Sequence, residues 1–226
     1  MPRIACLWVP DMCLRAHLRL DPESTTAPLV LTDGQGSRSL VVASSTMASE
    51  YGVVVGMTAA QARAMCDVLV IRSMSAQALK AAAVALADVA GTVSARVEID
   101  GRERVFLDCE SGGLLWSSES ELASILAARA VRCGMPARVG IADSKLGAAV
   151  AARQSHGVTI VPVGQTREFL GSFPVALLDP DPESAAMLAS WGIRAIGDLA
   201  SLPSGAVAHR LGPAGMRLVR DRKSVV

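Results

Sequence analysis

Residues 95–112 read ARVEIDGRERVFLDCESG, and carboxylates at Asp100, Glu103 and Asp108 fall on or beside two short strands. Val97 and Ile99 alternate with polar neighbours on the first strand. On the second, Val105 and Leu107 share one face while Phe106 and Asp108 take the other. Asp100-Gly101 is the tight connection between them. Carboxylates on such a hairpin suit a two-metal site, because Mg²⁺ is held by one or two side-chain oxygens together with substrate phosphates. That chemistry needs further carboxylates converging from other elements, so the order of those elements comes next.

An apolar strand over 3–9 stops at Pro10, and helical spacing over 12–20 puts Leu14 and Leu18 on one side. Strands over 29–31 and 39–43 flank the turn-rich DGQGS at 33–37. A helix over 45–50 is stopped by Gly52, Thr58 caps another that ends near Met65, and 68–71 is strand-like. An alanine-rich helix over 75–90 is closed by Gly91 and precedes the hairpin. A second long helix over 118–133 is closed by Gly134. A strand over 138–142, a helix over 144–154 and a strand over 158–161 complete the series. This is the order of an α+β, ferredoxin-like βαββαβ fold with a small subdomain inserted after its first strand. Beyond 163, Pro174, Pro180, Pro182, Pro203 and Pro213 punctuate short helices, which predicts a boundary there and an all-α module over 164–226.

Composition narrows the classes. With 226 residues and 51% hydrophobic content the chain can bury a substantial core. Its apolar runs are broken by Lys80, Asp88 or Arg153, so none reaches the ~18 residues of a membrane span, and a cytosolic protein is expected. Five cysteines at 6, 13, 66, 109 and 133 form no C-x-x-C pair, which argues against a zinc site or a disulfide framework. Net charge is +1, yet residues 210–223 hold five basic residues against one Asp.

The ordered pieces resemble a known family. RVGIADSKLGAAVAAR at 138–153, GVTIVPVGQTREFLGSFPVALL at 157–178 and WGIRAIGDLASLP at 191–203 resemble the palm-to-thumb passage of Y-family (UmuC/DinB-like) translesion DNA polymerases. ASEYGVVVGMTAAQARAMC at 48–66 and RVFLDCESG at 104–112 resemble that family's fingers and second palm motif. ACLWVPDMCLRAHL and LDCESGGLLW are similar to the ImuB-type branch, polymerase-like proteins of bacterial DNA-damage mutagenesis. The resemblance implies a palm of 1–10 plus 74–163, fingers over 11–73 and a helix-hairpin-helix-type thumb over 164–226. The family's little finger is absent, so the chain is either truncated or naturally short.

Carried over residue by residue, the resemblance predicts a degenerate active site. The leading carboxylate of the first palm motif falls on Pro10 and the second on Met12, while Asp11, between them on an extended segment, is expected to point away. In the second motif Glu103 stands at the Asp position and Arg104 at the Glu position, and a guanidinium repels a cation. The triphosphate contacts of the fingers fall on Thr46 and Ser49. That of the palm helix falls on Ala149, with Lys145 one turn earlier, roughly 6 Å along the axis.

Plainer roles compete for several of these residues. Asp108 reads as a strand-end or capping residue, and Glu103 as a solvated ion-pair partner of Arg102 or Arg104. His17, His156 and His209 each lack a second ligand at metal spacing, and Trp8, Trp116 and Trp191 read as core anchors. In the thumb, DPDPESAAML at 179–188 replaces the glycines of a phosphate-gripping hairpin with acids and prolines. A second candidate, LGPAGMRLVRDRK at 211–223, offers Gly212, Gly215, Arg217 and Arg220 to DNA, or is a solvated basic helix end.

The expected function is therefore a non-catalytic, polymerase-shaped adaptor in damage-induced error-prone synthesis, with no metal or other cofactor and weak, non-specific DNA binding. The resemblance implies a sliding clamp, a RecA-like accessory protein and a C-family error-prone polymerase as partners. The alternative is an active low-fidelity polymerase using Asp11, Glu103 and Asp108 with Mg²⁺. A small-molecule enzyme on a ferredoxin-like fold has no motif in its favour.

Overall fold

The computed structural model describes residues 2–101, 103–110, 116–154, 157–178, 180–203 and 205. In chain order the elements are β1 (Ile4–Trp8), α1 (Met12–Leu18), β2 (Leu29–Thr32), β3 (Val41–Ser44), α2 (Thr46–Glu50), α3 (Ala59–Met65) and β4 (Val70–Ser73). They continue with α4 (Ala76–Gly91), β5 (Val97–Asp100), β6 (Arg104–Asp108), α5 (Glu119–Arg132), β7 (Arg138–Ala142), α6 (Lys145–Gln154) and β8 (Val158–Ile160). Three short helices follow: α7 (Thr166–Gly171), α8 (Pro182–Ser190) and α9 (Ile196–Ser201). A 3₁₀ turn over Pro22–Thr26 is an addition that sequence pattern did not show.

Two sheets organise these elements. The larger has the order β5-β6-β1-β7-β8, and the smaller, β3-β2-β4, is built wholly from the segment inserted after β1. β1 is central in the larger sheet and antiparallel to both neighbours, so Trp8 lies opposite Arg104 on one side and Arg138 on the other. Strand alternation sends Ala5, Leu7 and Val9 to the face covered by α4 and α5, where they meet Leu86, Leu126 and Ile141. Cys6, Phe106 and Ala142 take the opposite face and pack under α6. That helix can lie so close because position 140 is glycine: a Cβ there would sit 2.1 Å from the Ala148 carbonyl oxygen.

Local signals start the helices where the sequence places them. The Ser45, Ser75 and Ser118 hydroxyls accept the amides of Ala48, Ala78 and Glu121. Thr58 and Gln61 form a reciprocal capping box at the start of α3. Residues 164–202 build their own apolar cluster from Leu170, Leu188, Ile196 and Leu199, joined to the larger sheet through Val150 of α6. Cys6 and Cys66 are buried and Cys133 is exposed, and burial pushes the Cys6 thiol up to about 12. Among the described residues no helix is long and apolar enough to cross a membrane.

Candidate active site

The first palm motif is shaped by how β1 ends. Val9 still donates its amide to the Glu103 carbonyl at 3.0 Å, but Pro10 has no N–H with which to extend the ladder. The chain then turns through Asp11 at φ 55° and ψ 40°, the one non-glycine residue at positive φ among the described residues. This left-handed turn corrects the expectation of an extended segment with Asp11 facing away. It brings exposed Asp11 to a cleft of about 630 Å³ and packs Met12, 3% exposed, between that cleft and the core. Asp11, Ser49, Asp100, Glu103 and Arg104 supply the cleft's polar lining, and Val42, Val54, Val55 and Leu79 much of its apolar wall.

The hairpin delivers Arg104 to this cleft as an ion-paired group. Its Nη2 lies 3.0 Å from Asp100 Oδ2, directly across the β5–β6 ladder, and its buried Nε has no hydrogen-bond partner. Glu103 pairs with Arg153 of α6 at 3.4 Å and not with Arg104, because α6 crosses the sheet close to the hairpin's end; Arg102 lies outside the described residues. Arg153 also lies 5.6 Å from the centre of the Trp8 ring, and Arg138 lies 5.1 Å from it. Trp8 is thus a half-buried aromatic stacked by two guanidinium groups, not the plain core anchor expected.

The positions matching triphosphate contacts are scattered. Ser49 lines the cleft and donates to the Ser44 hydroxyl at 3.2 Å. Thr46 opens instead onto a neighbouring cavity of about 210 Å³ that shares Asp11 and Ser44 with the cleft. Ala149 sits on the buried face of α6, packed toward the larger sheet, and lines neither. Lys145 is engaged elsewhere, with Nζ 2.5 Å from Glu98 Oε2 and 5.7 Å from the centre of the Phe106 ring.

Asp108 stands at the far end of β6. It lies opposite Ile4, whereas Arg104 lies opposite Trp8, so four residues or about 13 Å of strand separate it from the cleft. Its carboxylate accepts the Glu110 amide at 2.9 Å and lies 3.3 Å from Arg96 Nη1, the capping role that strand ends favour. Asp11, Glu103 and Asp108 are therefore not one constellation. Among the described residues no three His, Cys, Asp or Glu side chains are placed to hold a metal ion. With Asp100 paired to Arg104 and Glu103 to Arg153, the cleft's described carboxylates are not grouped to hold Mg²⁺, which requires several hard oxygen ligands.

At the opposite end of β1 lies a polar cluster that pattern reading missed. Arg3, 6% exposed, reaches Glu119 through Nε and Nη2 at 2.6 and 2.7 Å, Asp143 through Nη1 at 2.7 Å, and the Val161 carbonyl at 2.8 Å. Asp143 in turn accepts the Gly164 amide at 2.7 Å and the Thr166 hydroxyl at 3.2 Å. Burial alone would raise the Asp143 carboxyl, but the bonds from Arg3, Gly164 and Thr166 hold it below its ordinary value. The only signal in the sequence is a charged residue opening an otherwise apolar strand.

Two of the three described helix starts in 164–203, those of α8 and α9, carry their own carboxylate, and α7 starts at Gln165 without one. Asp181 accepts the Ser184 amide at 2.9 Å at the start of α8, and Asp198 accepts the Arg194 and Ala195 amides at 3.2 and 3.0 Å. Those hydrogen bonds hold both carboxyls below their usual range. The amides that would meet a phosphate in a helix-hairpin-helix turn are thus committed internally. The second DNA candidate, Gly212, Gly215, Arg217 and Arg220, lies outside the described residues, as do His156 and His209.

Comparison with known proteins accords with this geometry. Residues 7–153 match the impB/mucB/samB family. Protein ImuB of Caulobacter vibrioides is 33% identical over 165 residues, which cover 73% of this chain and 36% of that protein. DNA polymerase IV 2 of Mesorhizobium japonicum is 31% identical over 202 residues, 86% of this chain and 47% of that one. The chain thus spans less than half the length of these two relatives. Among solved structures, a post-insertion binary complex of Dbh DNA polymerase superposes with a TM-score of 0.81 at 17% identity, covering 99% of this chain and 67% of that one. DinB from Sulfolobus solfataricus gives 0.74 at 18% identity, with the same coverage. The fold is that of Y-family polymerases: a palm, inserted fingers and a helical thumb.

Proposed function

The chain belongs to the impB/mucB/samB family, and from that premise we propose that it is an ImuB-type, polymerase-shaped adaptor without nucleotidyl-transfer activity, acting in damage-induced error-prone synthesis. The observation that carries this reading is Arg104, held against Asp100 in the cleft where a two-metal site needs an unpaired carboxylate. Met12, a thioether 3% exposed, and Ala149, on the buried face of α6, support it independently, one for the metals and the other for the triphosphate. The rival polymerase reading needs Asp108, about 13 Å of strand away at the other end of β6. We take the palm as 1–10 with 74–163, the fingers as 11–73 and the thumb as 164–226.

The partners proposed are those of the family resemblance: a sliding clamp, a RecA-like accessory protein and a C-family error-prone polymerase. DNA binding is weak and non-specific in this reading, because Asp181 and Asp198 occupy two of the thumb's helix starts, those of α8 and α9. Primer-template affinity in the micromolar range or weaker, falling steeply with salt, is expected. The deciding experiment is primer extension by the purified chain with Mg²⁺ or Mn²⁺. No templated product is expected, and extension above background overturns the adaptor reading. Phosphoryl transfer is catalysed almost wholly by positioning and charge stabilisation, so residual activity without metal ligands or clamp has no physical source.

A further inference from the structure

On the fingers, away from the cleft, a pocket of about 610 Å³ opens between the β2–β3 turn, α3 and β4. It shares no lining residue with the cleft. Arg63 of α3 and Arg72 of β4 line it, and no carboxylate does. Both arginines are exposed, and neither forms an ion pair among the described residues. Arg72 donates only to the neighbouring Ile71 carbonyl, at 3.2 Å, and lies near enough to Asp21 to depress that carboxyl slightly.

The turn opposite the arginines is glycine-rich and pinned. Thr32 Oγ1 and Ser73 Oγ both donate to the Gly34 carbonyl, at 2.7 and 3.0 Å, and Ser39 Oγ donates to the Gly36 carbonyl at 2.7 Å. The one acid of the turn, Asp33, points away and accepts the Leu40 amide at 2.8 Å. The amides of Gly34, Gln35 and Gly36 make no hydrogen bond to the described chain, and a Cβ at Gly34 or Gly36 would meet open space. Two exposed guanidinium groups without an ion pair among the described residues, lining one pocket with uncommitted backbone donors and no carboxylate, form a recognition set for a tetrahedral oxyanion.

We propose that this pocket binds a phosphate group, carried either by a free nucleotide or by a single-stranded nucleic acid. The proposal stands independently of the adaptor reading, because it draws nothing from the cleft or from catalysis. The test titrates the whole chain at low salt with a fluorescent ATP analogue and, separately, with a fluorescein-labelled oligothymidylate, following anisotropy. Arg63→Ala and Arg72→Ala should each weaken binding of the recognised probe about tenfold, and Arg63→Lys should recover part of that loss. Arg132→Ala, which removes equal charge from the far end of α5, should leave affinity within about twofold. Displacement of the oligonucleotide by ATP assigns the site to a free nucleotide, and binding of the oligonucleotide without displacement assigns it to a strand. Both outcomes support the phosphate site. Unchanged binding by Arg63→Ala with Arg72→Ala, an equal loss with Arg132→Ala, or no binding of either probe overturns it. Circular dichroism of the exposed-arginine variants shows whether any loss reflects folding.

Discussion

The two ends of β1 are a strand's length apart and treat charge in opposite ways. At the Arg3 end a buried guanidinium meets two carboxylates and a carbonyl, and Asp143 takes three further protein donors counting Arg3 itself. At the Pro10 end Arg104 has one carboxylate, a buried Nε without a partner, and a solvent-filled cleft before it. The first arrangement ties the start of β1 to α5, to the end of β7 and to the segment leading into α7. The second ties nothing beyond its own hairpin. A polymerase active site has to leave charge unsatisfied for metal and substrate, whereas a structural tie is complete without a ligand. Of these two ends only the cleft end is open, and it holds a buried guanidinium nitrogen without a partner among the described residues.

The largest expected effect breaks the complete end. Arg3→Leu strands Glu119 and Asp143 without their counter-charge and should cost about 3–5 kcal/mol in urea unfolding. A loss below ~1 kcal/mol would mean that the two carboxylates are satisfied without Arg3. Next comes Met12→Asp, which puts a carboxylate between the cleft and the core. Because Met12 is 3% exposed within the core, the substitution should cost about 3 kcal/mol by the same measurement. Equal stability to the native chain would show that a carboxylate at position 12 is solvated through the cleft that this residue lines.

A smaller effect sharpens the contrast through pH. Asp143 titrates below its ordinary value near 3.8, so the folded chain binds fewer protons there than the unfolded chain. The stability this contributes is present above that value and is lost as pH falls through the lower, folded one. Asp143→Asn should therefore flatten the acid side of the stability profile, and Arg104→Ala should leave it unchanged. Asp11→Gly should stabilise by about 1 kcal/mol, since glycine enters the left-handed region without steric cost. Last, Arg104→Ala should alter stability by no more than ~1 kcal/mol, as a half-exposed pair contributes little. A larger loss would make Arg104 a tie like Arg3 and dissolve the contrast.

Much of this molecule is written locally. Thr58 with Gln61, Ser75 and Ser118 start their helices through contacts three residues long, while the hairpin expected to close at Asp100-Gly101 pairs Asp100 with Arg104 and turns over 101–103. These are short-range hydrogen bonds and backbone preferences, and periodicity exposes the faces they bury, so element order and the inserted small sheet were legible. The residue types at Pro10, Met12 and Arg104 were legible too, because a guanidinium or a thioether cannot become an oxygen ligand in any fold. What only the tertiary structure decided is where side chains go once distant segments meet. Asp11 faces the cleft because β1 ends in a left-handed turn, Glu103 finds Arg153 fifty positions along the chain, and Arg3 gathers partners from three other elements. Such pairings depend on register and crossing geometry, in which strands and helices far apart in the chain contribute one residue each, and no local pattern encodes them.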